Sequence, residues 1–374
     1  MIQNAFGLIF TGEANPRLKE LSLSRSVAAV PFGGRYRCID FILSDLVNSG
    51  VRNVGLIMQK NYHSLMDHLG SGKEWDLNRK RDGLFILPPF LTKDNTGVYR
   101  GDIDAFHSVM TYVRRSSQRY IILSGSHTIF NTTFQDLLAQ HVNSGADITM
   151  MYNVDSHFDA DDQNRDLRLV FDETGRVSEF EWNPYIPRSN NRSCEVIVMD
   201  KQLFEHLVEE AFARGDSDFT RDILQKKCST LQIRGWEYKG YVARLDSINT
   251  FFRHSMELLS APEAADLHNT DHPIYTKVKD EPSAKYGEDA VASNCVLADG
   301  CSIRGHVSDS VLFRGVTVAD GAVVKNSVIM QGCHIEANAV LDHVILDKNV
   351  TITEGRTLTG YEGLPLVIKK NQII

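Results

Sequence analysis

The residues best equipped for chemistry are arginines placed beside turn-forming glycines. Arg17 follows Gly12 by five positions, and Arg35 and Arg37 follow the pair Gly33-Gly34. A guanidinium forks onto carboxylate or phosphate oxygens, so Arg17, Arg35 and Arg37 could together hold an anion. For Arg37 the simpler expectation is pairing with Asp40 or Asp45, which braces the helix starting there. For Arg35 anion contact and a surface ion pair stand level, since exposed pairs contribute only about 0–1 kcal/mol. His63, Asp67 and His68 have the spacing of one helix face and read as solvated or satisfied side chains rather than metal ligands. The basic runs Arg79-Lys80-Arg81 and Arg114-Arg115 read as solvated surface. The six cysteines are scattered, with no Cys-x-x-Cys pair and no zinc-type spacing, which suits buried thiols in a reducing compartment.

Two kinds of element must position these groups. Through residue 250 or so, short apolar runs (Ala5–Phe10, Asn53–Met58, Tyr120–Leu123, Asp147–Tyr152, Glu195–Met199) read as strands buried on both faces. Between them lie amphipathic stretches, Ile39–Ser49, Phe106–Arg115, Phe134–Ser144 and Lys201–Arg214, expected to be helices. Asn48-Ser49-Gly50 and Asn143-Ser144-Gly145 end two of them with a glycine suited to a left-handed cap. The alternation implies α/β architecture, a mainly parallel sheet with helices on both faces.

The last 80 or so residues change period. A unit of Gly or Asn, a small or apolar residue, any residue, then an aliphatic recurs six times, at Gly300, Gly315, Gly321, Gly332, Asn338 and Asn349. Gly315, Gly332 and Asn349 are spaced by 17 residues, as are Gly321 and Asn338. A fixed period marks a solenoid, here the hexapeptide pattern of a left-handed parallel β-helix with about four coils. Gly and Asn belong at its corners because both tolerate positive φ. Pro262, Pro273 and Pro282 break any period between the two regions. The expected organisation is an α/β domain over 1–255, an extended connector over 256–285 and a β-helix over 286–374.

The net charge of −8 and pI near 5.9 argue against general nucleic-acid binding, which needs a basic surface. No run approaches the roughly 18–20 apolar residues of a membrane span, and the short opening run lacks the flanks of a signal peptide. A cytoplasmic protein is expected.

Phe32-Gly33-Gly34-Arg35-Tyr36-Arg37-Cys38-Ile39-Asp40-Phe41, then Leu43-Ser44 and Asn48-Ser49-Gly50, resembles the F-G-G-x-x-R-x-I-D-F-x-L-S…N-S-G block of the glucose-1-phosphate adenylyltransferases. Gln59 with Asn61-Tyr62, Tyr99-Arg100-Gly101 ahead of Asp104-Ala105, and Leu123-Ser124-Gly125-Ser126-His127 extend the resemblance over nearly the whole chain. It implies a nucleotidyltransferase-like mixed sheet sandwiched by helices, followed by the β-helix. It also implies nucleotide or sugar contacts at Gln59, Gly101 and His127, and an effector region near Arg35. Family enzymes join ATP to a sugar phosphate by in-line attack at the α-phosphorus, which requires positioning and charge neutralisation.

Measured against that chemistry, the parts are missing. The phosphate loop G-G-x-G-T-R-L reads Gly12-Glu13-Ala14-Asn15-Pro16-Arg17-Leu18, keeping Gly12 and Arg17 but adding Glu13 and a proline without an N–H. The lysine of K-P-A-V falls at Val27, the first metal carboxylate at Ser126, the sugar-phosphate lysine at Asn183 and the second metal carboxylate at Arg244. Such losses imply a catalytically deficient, regulatory subunit. It would need no cofactor itself and would assemble, as a hetero-tetramer, with a catalytic chain that carries Mg²⁺. A homo-oligomer alone and a sugar-phosphate or nucleotide effector are also expected from the resemblance. Two other readings stay open: a slow adenylyltransferase with metal ligands relocated to Asp102, Asp104 or Asp246, and a sensor of nucleotides or sugar phosphates without turnover. His334 and His343 resemble the inter-coil histidine of hexapeptide acyltransferases, but no acyl-donor features accompany them.

Overall fold

The computed structural model describes residues 2–12, 16–89, 99–155 and 166–374. They divide into two compact units, each discontinuous in sequence: Met1–Glu13, Phe41–Val242 and Thr270–Tyr275 form one, and Ala14–Asp40, Ala243–Asn269 and Thr276–Ile374 the other. Residues 14–40 and 243–255 of the region expected to be α/β, and 256–269 of the expected connector, thus group with the β-helix.

The first unit is built on a nine-stranded mixed sheet. Strands Gly83–Leu87, Asn53–Ile57, Ala5–Phe10 and Tyr120–Ser124 lie side by side, all parallel. Their residues are nearly continuously apolar because helices cover both faces of a parallel sheet. Asn191–Asp200 then runs antiparallel to both Tyr120–Ser124 and Ile148–Val154, which makes the sheet mixed rather than mainly parallel. Ile233–Glu237 extends it beside Ile148–Val154, and Leu167–Phe171 pairs antiparallel with Val177–Trp182. The core gathers Phe6, Leu8, Ile121, Leu123, Ile148 and Met150 from the sheet with Ile103, Phe106, Phe204, Leu207 and Phe219 from the covering segments. Phe106 meets Phe204 and Phe219 edge-on at 5.5 and 5.6 Å, a favoured ring geometry.

The expected helices form at Cys38–Asn48, Gln135–Ser144 and Lys201–Arg214, and Gly50 and Gly145 take the anticipated left-handed conformation (φ 91° and 62°). The stretch read as one helix over 106–115 is two, Asp102–Ser108 and Met110–Arg115, beginning earlier because Gly101 supplies the extended N-cap. Four strands went unrecognised in the sequence: Gly83–Leu87, Leu167–Phe171, Val177–Trp182 and Ile233–Glu237. Charged or polar residues interrupt the apolar runs of the last three, at Arg168, at Ser178 and Glu179, and at Arg234.

The second unit holds the left-handed parallel β-helix. Rungs stack in register: Val307 over Val324 over Leu341 over Leu358, and Ile303 over Val318 over Ile335 over Ile352. Successive partners are 17 residues apart in most coils, as at Val323↔Val340, and the last coil lengthens to 22 at Ile345↔Val367. The extra residues form the small Tyr361–Leu364 turn, with both side chains exposed. Every inward aliphatic from Ile303 to Ile352 is at most 1% exposed, and the corner residues Gly300, Gly315, Gly321, Gly332, Asn338 and Asn349 all have positive φ. The β-turn of Gly33 and Gly34 (φ 62° and 79°) also belongs to this unit. In the same unit the buried Arg25 guanidinium donates to both carboxylate oxygens of Asp347 at 2.8 Å. Where an extended connector was expected, Ala261–Leu267 is helical. Pro262 occupies its first turn, where a missing N–H costs nothing, and alanines follow. Among the described residues no helix is long and apolar enough to cross a membrane.

Candidate functional site

In the first unit a cavity of about 320 Å³ opens at the carboxyl ends of the parallel strands. That is where α/β sheets leave room for ligands, because the helices turn away there. Phe10, Leu123 and Ser124 reach it from two strand ends, Ser193, Glu195 and Ile197 from the antiparallel strand, and Gly101 and Asp102 from the head of helix Asp102–Ser108.

Several resemblance-derived positions do meet here. Gly101 lines the cavity, and a Cβ on it would collide with the Ser217 carbonyl, which accepts the Ile103 N–H at 3.2 Å. Gln59 lines it just past the strand Asn53–Ile57, 5% exposed, with neither amide atom hydrogen-bonded. His127 stands behind it, Nε2 lying 3.1 Å from Glu195 Oε2. Among the described residues Arg100 is the guanidinium on the wall, and Asp104 holds it by two bonds of 2.8 Å. That pairing pulls the Asp104 carboxyl below its usual range.

The family-derived catalytic positions in this unit carry other roles. Ser126 is buried, 1% exposed. Asn183, with φ 46°, accepts the Asp166 N–H at 2.8 Å while its own N–H donates to the Asp166 carbonyl at 2.7 Å. It ties the open end of the Leu167–Phe171 and Val177–Trp182 strand pair and carries no charge. Gly12 (φ 63°) follows Thr11, whose N–H and hydroxyl both donate to the Ile57 carbonyl. Glu13, Ala14 and Asn15 lie outside the described residues.

Three cavity residues were not singled out from the sequence: Glu195, Trp182 and Asp102, the last named only as a relocated metal ligand. Glu195 heads a buried apolar run, and a carboxylate in that place is the signal that was available. It sits at φ 58°, a region that costs a side chain about 1 kcal/mol or more. Asp102 accepts the Phe219 N–H at 2.8 Å, and burial nevertheless pushes its pKa up to about 7.

The second unit holds the remaining positions. Val27 is 4% exposed and Arg244 6%, while the backbone N–H groups of Asp246 and Ser247 both donate to Thr250 Oγ1, capping helix Ile248–Glu257. Asp40 accepts the Arg37 backbone N–H at 3.0 Å, which ties these two residues together at the start of the helix. Asp45, the other partner considered, instead accepts the Thr132 N–H in the first unit. Cations concentrate here. Burial and the charges of Arg37, Arg25 and Lys279 push the Lys348 amine down to about 7. Burial, Arg314 and Arg37 lower the Lys279 amine, and burial and Arg35 lower the Arg314 guanidinium. Arg314 is 6% exposed with its Nε unpaired. Arg35, Arg37, Lys279, Arg314 and Lys348 thus act on one another electrostatically, with the carboxylates of Asp40, Glu281, Asp299 and Asp347 acting on the same groups. His334 and His343, by contrast, are engaged locally with Thr317 and Asp342, at 2.7 Å each.

At the positions that the resemblance assigns to metal ligands, Ser126 offers a hydroxyl and Arg244 a cation, which do not fit the carboxylates that Mg²⁺ requires.

Residues 6–236 match the nucleotidyl transferase family, and residues 281–362 match the GlmU-like, C-terminal hexapeptide family. Sheet, cavity and β-helix therefore define a nucleotidyl transferase with a hexapeptide-repeat extension. The chain is 36% identical over 359 residues to the glycogen biosynthesis protein GlgD of Bacillus subtilis, covering 95% of this chain and 93% of that one. It is 32% identical to the glucose-1-phosphate adenylyltransferase of Fervidobacterium nodosum (95% and 85% covered) and 30% identical to that of Bacillus cytotoxicus (95% of both). The chain belongs to the glucose-1-phosphate adenylyltransferase family.

Proposed function

We propose that this chain is a catalytically deficient regulatory subunit of a cytoplasmic glucose-1-phosphate adenylyltransferase in glycogen biosynthesis. In this reading a catalytic partner supplies Mg²⁺ and forms ADP-glucose from ATP and glucose 1-phosphate. The observation that carries it is the residue types at the family-derived catalytic positions: Val27 and Asn183 bring no charge where lysines would hold phosphates, and Ser126 and Arg244 bring no carboxylate where a metal ion would be held. Losing one such contact can cost several kcal/mol of barrier, so the combination suppresses turnover severely. The intact fold and the likeness to a protein named for glycogen biosynthesis support a retained role in that process. Arg35, Arg37, Lys279, Arg314 and Lys348 would receive the phosphate of a sugar-phosphate or nucleotide effector, which extends the anion site read from Arg35 and Arg37.

The test is pyrophosphate release from ATP and glucose 1-phosphate with Mg²⁺, by this chain alone, the catalytic chain alone and the two co-expressed. No rate alone, with altered activity or effector response in the mixture, is the expected result. A rate from this chain alone that disappears on substituting Asp246 or Arg17 overturns the proposal.

A further inference from the structure

The first unit holds a second cavity, of about 550 Å³, between the strand Gly83–Leu87 and the helix Met110–Arg115. It shares no lining residue with the cavity at the strand ends. Its volume falls within the roughly 300–1,000 Å³ of small-molecule sites. Phe85, Leu87, Pro88, Pro89 and Val109 give it an apolar wall, and the Tyr112 ring lies 5.2 Å from that of Phe85. Gly83–Leu87 is the last strand of the sheet, which leaves Phe85 exposed at its edge.

A chain of hydrogen bonds fixes the polar part of the wall. The Tyr112 hydroxyl donates to Asn53 Oδ1 at 2.8 Å, and Asn53 Nδ2 donates to Ser116 Oγ at 3.2 Å and to Gln118 Oε1 at 3.0 Å. Gln118 Nε2 in turn donates to Asp82 Oδ1 at 3.4 Å. A buried network satisfied in this way holds its members in one arrangement. Gly55 makes room for it, since a Cβ there would collide with the Tyr112 ring. Two charges on the same cavity are left over. Arg114 engages Glu205 and Glu209, but Arg115, which lines the cavity, has no ion pair among the described residues. Asp82 also lines it and has none, and the two do not pair with each other.

A guanidinium forks onto a carboxylate, and a carboxylate accepts from an ammonium. A fatty acid would leave Asp82 unmet and an amine would leave Arg115 unmet, whereas a zwitterion meets both. We infer that this cavity binds a free apolar α-amino acid, its carboxylate on Arg115, its ammonium on Asp82 and its side chain among Phe85, Leu87, Val109 and Tyr112. The inference goes beyond the regulatory reading and does not rest on it: it concerns binding by this chain alone, at a place that none of the family-derived positions occupies.

The experiment is calorimetric titration of the full chain with leucine and with phenylalanine. Each is set beside its N-acetyl derivative, which lacks the ammonium, its amide, which lacks the carboxylate, and glycine, which lacks the side chain. At least one of the two amino acids should bind about fivefold or more tightly than either of its derivatives and than glycine. Arg115→Gln should remove the preference over the amide, and Asp82→Asn the preference over the N-acetyl derivative, both with unchanged circular dichroism. Asparagine suits the left-handed φ of 62° at position 82, so the second variant keeps the turn. Thr111→Trp, which fills the cavity from an exposed helix position, should abolish binding. Equal or tighter binding of a derivative, binding that persists in Thr111→Trp or is unchanged by both charge variants, or no binding of either amino acid at millimolar concentration overturns the inference.

Discussion

At the residue scale, buried charge tells most about how this molecule is adapted. Asp45 in helix Cys38–Asn48 is fully buried, accepts one backbone N–H from Thr132 and leaves Oδ2 unpartnered. Burial raises its pKa well above the usual carboxylate range. A carboxyl raised on folding binds a proton in the native state that the unfolded chain has released. Stability therefore declines as pH rises from the unfolded pKa towards the folded one. Asp45→Asn keeps the acceptor for Thr132 and removes the ionisable group. It should stabilise the protein by about 1–3 kcal/mol at pH 7.5 and by much less at pH 4, as measured by urea denaturation at both pH values. The same reasoning explains why Asp45 could not have been assigned from sequence: its spacing allowed a partner in Arg37, and only the packing of Thr132 against the helix decided otherwise.

At the element scale, the β-helix shows how repetition becomes stability. Leu341 is completely buried between Val324 and Leu358 in adjoining coils, and each coil covers the apolar rung of the next. Leu341→Ala leaves a cavity in a column that cannot collapse without breaking register, and should cost about 2–5 kcal/mol. Its neighbour Val340 faces outward, half-buried, so Val340→Thr should change stability by about 1 kcal/mol or less. Comparable losses from the two substitutions in denaturant titrations would refute the inward–outward assignment. The 17-residue period made this element legible before any fold was known, and the longer last coil escaped notice because its Tyr361–Leu364 turn interrupts the period.

At the scale of the whole molecule, each of the two compact units carries a local concentration of charge, of opposite sign in the two. The cavity of the first is acidic, while the second gathers Arg35, Arg37, Lys279, Arg314 and Lys348. An amine lowered to about 7 in the folded state is largely neutral above that pH, whereas the unfolded chain keeps its proton up to about 10.5. Stability from this group consequently rises with pH through that window, and its penalty is fully present below about pH 7. A bound dianion reverses the penalty by favouring the protonated amine, so anion binding takes up a proton. Sulfate, which does not itself titrate here, should raise the melting temperature more at pH 6 than at pH 8.5. Lys348→Met should abolish that pH dependence. An equal sulfate effect at both pH values, in thermal denaturation of the wild-type chain, would remove Lys348 from the site.

Periodicity and motif together were enough to establish the α/β region, the hexapeptide β-helix and the family. These are local properties: strand and helix periods, turn residues and short blocks are set by neighbours along the chain. The tertiary structure alone decided that Asn191–Asp200 enters the sheet antiparallel, that Glu195 meets His127 across that strand pair, and that Gln59 is buried without a partner. It alone brought Arg37 within Coulombic reach of Lys348, more than 300 positions away. Encounters of this kind depend on strand register and on how loops close. The sequence encodes both only through the balance of long-range packing against chain entropy, and that balance leaves no periodic trace.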